Sequence, residues 1–135
     1  MQLKSVMARQ FISFGIVGVV GFVVDAGVLQ CALILGLGLY SGRIVSYFVA
    51  ASATWILNRR YTFGGSSEGS PLSEWARFVF SQLSGATVNL SVYGLLVYFS
   101  KFVAKMPVIG VALGSIAGML INFIAARTFA FRRRV

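Results

Sequence analysis

The sequence predicts an all-α membrane protein: four transmembrane helices built as two parallel two-helix repeats, with the N- and C-termini cytoplasmic. Three observations lead there. The 135 residues are 58% hydrophobic and only 11% charged, against roughly 25% charged in a soluble domain. Four apolar runs reach or approach the about 20 residues that a helix needs to cross ~30 Å of hydrocarbon. Two stretches 68 positions apart, NRRYTF (Asn58 to Phe63) and ARTFAF (Ala126 to Phe131), each end an apolar run with arginine beside aromatics.

The first span is expected from Phe11 to about Leu35. Its run is too long for a secretory signal and lacks a clear small-residue cleavage site, so it is expected to stay in place. Leu37 to Ser41 is a tight glycine-containing turn. The second span, about Gly42 to Leu57, is short and reaches full length only by taking in NRRYTF. GGSSEGSPLS, Gly64 to Ser73, is a polar loop, with Ser73 placed to cap the next helix and Glu74 in its first turn. The third span runs from Trp75 to about Phe99. After a short link with two lysines, the fourth starts at Pro107, a residue suited to a first helical turn, and runs to about Phe129. The chain thus reads as one domain over 1–135, with repeat one at about 9–63, a cytoplasmic loop at about 64–73 and repeat two at about 74–131.

Charge sets the expected orientation. The net charge of +9 comes from twelve Lys/Arg against three acids. Lys4, Arg9, Arg59, Arg60, Arg77, Arg127, Arg132, Arg133 and Arg134 fall on one side of the spans, and Arg43, Lys101 and Lys105 on the other. The richer side is expected to be cytoplasmic, which makes this a multi-pass protein of the cytoplasmic (inner) membrane. Because the cations cluster at the ends of apolar runs, membrane lipids are the expected partner and nucleic acid is not. With no histidine and a single cysteine, Cys31, inside an apolar run, no metal site, no cofactor and no internal disulfide are expected. An enzyme is not expected either, for want of a nucleophile–base pair.

The duplication extends beyond the two stretches. Phe11 and Gly18 match Phe78 and Gly85 at a shift of 67. At a shift of 68, the stripe Gly42, Ser46, Ala50, Thr54, Asn58 matches Gly110, Gly114, Gly118, Asn122, Ala126. Residues four apart share a helix face, and small residues let helices approach closely in lipid. Each repeat holds two spans, so both repeats have the same orientation. Four helices barely enclose a path for a bulky solute, which makes a homo-oligomer plausible.

Asp25 is the only acid inside a span. Placing an ionised Asp at a helix centre costs ~2.5–3.5 kcal/mol on insertion scales, which makes it a functional candidate. Three readings stand: a structural group paired with Arg43, a solute contact, or a proton carrier. Its position in the second half is taken by Val92, with Asn89 one turn away in a similar polar role. Buried Asn58 and Asn122 either bond across helices or meet a polar ligand. Arg59, Arg60 and Arg127 either anchor the helix ends among ordinary lipids or capture a phosphate through the planar guanidinium fork. Tyr61, Phe63, Phe129 and Phe131 read as aromatics at the membrane interface. Arg132, Arg133 and Arg134 read as an electrostatic anchor.

RQFISFGIVGVVGFVVD, WILNRRYTF, RFVFSQLSGATVN and INFIAARTFAF, in that order, resemble the GtrA-like family of small four-span membrane proteins. One departure is the pair Ala125 and Ala126 before Arg127, where NRR stands in the first half. The resemblance implies a flippase that moves a polyprenyl-phosphate-linked monosaccharide across the membrane for cell-surface polysaccharide synthesis. It also implies a membrane glycosyltransferase as a possible partner. On that view Arg59, Arg127 and Arg60 gather the phosphate, and Asp25, Asn58, Asn89 and Asn122 form a polar crevice for the sugar. The alternatives are a membrane scaffold or accessory subunit for a polyprenyl-phosphate glycosyltransferase, and a small proton-coupled exporter.

Overall fold

The computed structural model describes residues 2–65 and 68–132, so the readings on Arg133 and Arg134 lie outside the described residues. All its regular elements are helical: α1 (Gln2–Ile34), α2 (Leu39–Leu57), α3 (Pro71–Phe99), α4 (Lys101–Lys105) and α5 (Pro107–Ala125). Two π-helical turns, Asn58–Thr62 and Ala126–Ala130, continue α2 and α5. The chain divides into two compact units, Met1–Ser66 and Ser67–Val135. In the first, α1 packs on α2 and on the π turn that follows it; in the second, α3 packs on α5 and its π turn, with α4 against both helices. Two helical segments, Gln2–Ile34 and Val108–Ala130, are long and apolar enough to cross a membrane.

Local chemistry explains the boundaries. Gly36, at φ +88°, ends α1. The Leu37 N–H reaches back to the Ala32 carbonyl and the Gly36 N–H to that of Leu33, both at 3.0 Å. Together they satisfy carbonyls left open at the helix end, and glycine takes the left-handed backbone without steric penalty. α3 starts earlier than the apolar pattern indicates. Ser70, not Ser73, is its cap, and its side chain accepts from the Ser73 N–H at 3.2 Å. Pro71 opens the helix, since a first-turn residue needs no N–H partner. The link before Pro107 is partly helical: Ser100 caps α4 by accepting from the Val103 N–H at 3.3 Å. α1 also begins well before Phe11, at Gln2.

Each unit is held by close helix approach. A Cβ on Gly85 would sit 2.5 Å from the Gly118 carbonyl oxygen, and one on Gly118 would sit 2.6 Å from that of Gly85. Gly114 lies under Asn89 in the same way, with the Asn89 carbonyl oxygen 2.7 Å from a built Cβ. In the first unit Gly21 meets the Thr54 side chain, and Gly42 lies against Leu29 and Ala32. Gly18 and Gly94, by contrast, have nothing within 4 Å. Gly18 therefore does not share the packing face of Gly21.

The π turns complete the fit. Phe63 N–H bonds Asn58 O at 2.9 Å, and Phe131 N–H bonds Ala126 O at 2.8 Å, both five residues apart. That extra residue per turn brings Phe63 back onto Phe14 at 6.3 Å between ring centroids, and Phe131 back onto Phe78 at 5.7 Å, both edge-on. Such pairs contribute about 0.5–1.5 kcal/mol beyond their area burial.

Gly85→Ala is expected to destabilise the protein in detergent by about 1–3 kcal/mol through overpacking. Gly94→Ala is expected to leave thermal unfolding unchanged or raise it slightly, because alanine favours helix over glycine. Equal effects at the two positions would show that the glycine contact is not what holds α3 on α5.

Candidate functional site

The polar groups of each unit lie at two levels: among the turns at its open end, and along the helix–helix contact. At the open end of the first unit, Thr62 Oγ1 donates to Asn58 Oδ1 at 2.9 Å and lies 2.8 Å from Ser13 Oγ. Asn58 is only 2% exposed. Its amide bonds from the π turn toward α1 through Thr62, a packing task that the sequence pattern left open. Arg59 lies over the Trp55 ring at 5.7 Å, and Arg60 over that of Tyr61 at 5.6 Å.

The second unit closes its open end differently. Arg77 Nη2 donates to the carbonyls of Glu68 (2.7 Å) and Ala130 (3.3 Å), while Nη1 reaches Ser73 Oγ at 3.3 Å. Glu68 N–H bonds Arg132 O at 3.1 Å, and the Glu68 carboxylate pairs with Arg132 Nε at 3.4 Å. Arg77 was expected only as a cation on the richer side, and Arg132 only as part of an anchor. In the structure both tie the loop to the C-terminal segment. Arg127 lies within the second π turn, and its Nη1 is buried with no hydrogen-bond partner among the described residues.

Toward the other end of the first unit, Asp25 pairs with Arg43, whose Nη1 lies 2.5 Å from Asp25 Oδ2 and 3.5 Å from Ser46 Oγ. Of the three readings for Asp25, pairing is the one this geometry displays. In the second unit Asn89 lies over Gly114 and Gly118, and its Nδ2 donates to Ser115 Oγ at 3.3 Å. Asn122 Oδ1 is buried against Gly85 without a hydrogen-bond donor among the described residues.

These contacts change the register between the halves. Phe14 and Phe78 occupy like positions against Phe63 and Phe131, and Gly21 and Gly85 against Thr54 and Asn122. The first helices of the two units therefore correspond at an offset of 64, not 67. At that offset Asp25 corresponds to Asn89 rather than to Val92. The aromatics divide as well. Tyr61 and Phe129 are exposed, but Phe63 and Phe131 are only 6% and 5% exposed and belong to the cores of their units, not to an interface belt.

Long apolar helices with cationic ends, packed through small residues and holding a few paired polar groups, define a helical membrane protein. The family model for the GtrA/DPMS transmembrane domain matches residues 13–131. The chain belongs to that family. No curated protein matches it.

Two outcomes follow from the geometry. Removing only the cation, in Arg43→Gln, strands the Asp25 carboxylate, and breaking one partner of a pair costs more than removing both. The double variant Asp25→Asn/Arg43→Gln is therefore expected to regain at least about half of the thermal stability that Arg43→Gln loses. Additive losses in a double-mutant cycle would mean the pair is not energetically coupled. Arg77→Met removes hydrogen bonds from a charged donor, each contributing about 1.5–3 kcal/mol. Amide exchange at Phe131 is expected to speed up by roughly tenfold or more, as read by hydrogen–deuterium exchange. An unchanged rate would remove Arg77 from the clamp.

Proposed function

We propose that this protein translocates a polyprenyl-phosphate-linked monosaccharide across the cytoplasmic membrane as a multi-pass protein with four spans. The observation that carries the reading is Arg127 Nη1, a guanidinium donor that is buried and has no hydrogen-bond partner among the described residues. Such a group is costly to maintain, and a phosphate oxygen is its natural complement. Arg59 holds the matching place in the first π turn. Each of these residues would gather a phosphate head at the end of its own unit, with Arg60 adding charge beside Arg59. The sugar hydroxyls of the solute would meet the polar groups along the helix contacts, Asp25 with Arg43 and Ser46, and Asn89 with Ser115. Asn58 packs at the open end of its unit, and Asn122 lies against Gly85 at the helix contact of the other. The lipid tail stays in the bilayer, so only the head needs a polar route, and burying a bare phosphate is what makes such a route necessary.

Four spans are supported by element length. α2 with its π turn runs from Leu39 to Thr62 and α3 from Pro71 to Phe99. Each exceeds the about 20 residues that hydrocarbon requires. Duplication of one two-helix unit is supported by the shared aromatic closures and π turns, and the cytoplasmic placement of both termini by the Lys/Arg distribution. The path for a bulky head would be completed by a second copy of the chain.

The test uses the purified chain in vesicles loaded with a polyprenyl-phosphate-linked monosaccharide, with sugar exposure followed by a membrane-impermeant oxidant. The Arg59→Gln/Arg127→Gln variant is expected to slow exchange by roughly tenfold or more, the loss of charge-assisted bonds of about 1.5–3 kcal/mol each. An inserted variant with unchanged exchange overturns the phosphate role of the two arginines. Wild-type exchange no faster than in empty vesicles overturns translocation itself and leaves the glycosyltransferase scaffold as the reading to pursue.

A further inference from the structure

The two π turns are gripped from the same place in each unit, but by different chemistry. At the offset of 64, Ser13 on α1 corresponds to Arg77 on α3. At the offset of 68, Thr62 in the first turn corresponds to Ala130 in the second. Both correspondences are contacts. Ser13 Oγ lies 2.8 Å from Thr62 Oγ1, and Arg77 Nη2 donates to the Ala130 carbonyl at 3.3 Å. Each grip stands one residue before the phenylalanine, Phe14 or Phe78, that the ring of Phe63 or Phe131 meets.

The change of chemistry alters what holds each turn. The first turn braces itself, because Thr62 Oγ1 donates to Asn58 Oδ1 at 2.9 Å. In the second, Ala126 stands in the place of Asn58 and Ala130 in that of Thr62. Neither alanine has a side-chain donor or acceptor, so this brace is lost. Arg77 supplies a substitute from outside the turn. Its Nη2 also donates to the Glu68 carbonyl at 2.7 Å, and its Nη1 to Ser73 Oγ at 3.3 Å. A planar guanidinium holds its donors in fixed directions, and its bonds are charge-assisted. One fork therefore ties the turn to the loop and to the start of α3. Arg127 stands in that turn, three residues before Ala130, with its Nη1 buried and without a hydrogen-bond partner among the described residues. Arg59, in the self-braced turn, lies over the Trp55 ring at 5.7 Å.

We propose that Arg77 is a positioning residue for Arg127: by holding the Ala130 carbonyl it fixes the second π turn, and with it the direction from which Arg127 meets an anionic head. The assignment rests on the transport reading and deepens it by giving the two arginines unequal supports. Arg59 is set by its own turn and by Trp55. Arg127 is set by a third arginine that also grips the loop, so displacement of the loop at Glu68 acts on Arg127 and leaves Arg59 alone.

The experiment places Arg77→Gln in two backgrounds, wild type and Arg127→Gln, and follows exchange of a polyprenyl-phosphate-linked monosaccharide by the full chain in vesicles. With Arg127 present, Arg77→Gln is expected to slow exchange by roughly tenfold. With Arg127 already replaced, it is expected to add less than about twofold, since coupled residues are not additive. Arg77→Lys keeps the charge but not the fork. It is expected to restore part of the rate, and it replaces Arg77→Gln in both backgrounds if that variant does not insert. Equal losses in the two backgrounds, or no loss in either, overturn the assignment while the transport reading stands. A second measurement does not depend on transport: modification by phenylglyoxal, read residue by residue by mass spectrometry. Arg77→Gln is expected to speed modification of Arg127 several-fold and to leave Arg59 unchanged. If wild type shows no exchange, the transport reading fails, and this measurement alone decides whether Arg77 positions Arg127. Equal changes at Arg59 and Arg127 overturn it.

Discussion

The approach of two backbones at Gly85 and Gly118 is the constraint on which the second unit depends. In hydrocarbon there is no hydrophobic gain from bringing helices together, so contact must come from packing and weak polar attraction. The two glycines are reciprocal: the carbonyl of each occupies the space a side chain on the other would need. Asn89 and Asn122 then fall on either side of the crossing, where Gly114 and Gly85 leave room for them. Intermediate-sized side chains at any of these positions would hold the helices apart and leave the amides without their surroundings.

The π turns follow from that closeness. A stripe repeating every four residues brings Gly42, Ser46, Ala50, Thr54 and Asn58 onto α1, but another four-residue step would not bring Phe63 onto Phe14. One added residue per turn does so. It leaves backbone geometry that is rare in itself, and the structure compensates in two ways. The first unit bonds Asn58, Thr62 and Ser13 in series. The second uses Arg77 to hold the Ala130 and Glu68 carbonyls. Aromatic closure and arginine placement are thus one arrangement. The turn that buries Phe131 is also the one that carries Arg127.

Much of this was legible from residue types. Small residues at a four-residue period reveal a packing face wherever they occur, and Pro107 marks a helix start through its missing N–H. The need for NRRYTF to lengthen the second span was also readable, because α2 without it is only 19 residues long. The register between the halves was not. Gly18 and Gly21 are less than one turn apart, as are Phe11 and Phe14, so offsets of 67 and 64 both align a phenylalanine and a glycine. Only the partners across the helix contact distinguish them. The π turns have no residue signature, since they arise from what Phe63 and Phe131 must reach. Ser70 and Ser73 are equally good caps by type, and it is Pro71 between them that decides. Arg77 and Arg132 looked like members of a charge count because the carbonyls they hold are remote in the sequence.

The corrected register also changes how the polar groups divide between the units. At an offset of 64, Asp25 and Asn89 are counterparts, one an acid with Arg43 as its cation and the other an amide with Ser115 as its hydroxyl. Both solutions leave the helix contact close to electrically neutral, as a low-dielectric setting demands. Net positive charge is left to the helix ends, where water and lipid phosphates can screen it. A phosphate-bearing solute would therefore meet attraction at the membrane edge and only neutral or compensated partners further in. That gradient favours capture at the edge and weak holding beyond it, which suits a solute that must be released on the far side. On the proposed reading, the pairing of Asp25 with Arg43 matters to passage because it compensates that cation and weakens its hold on a phosphate.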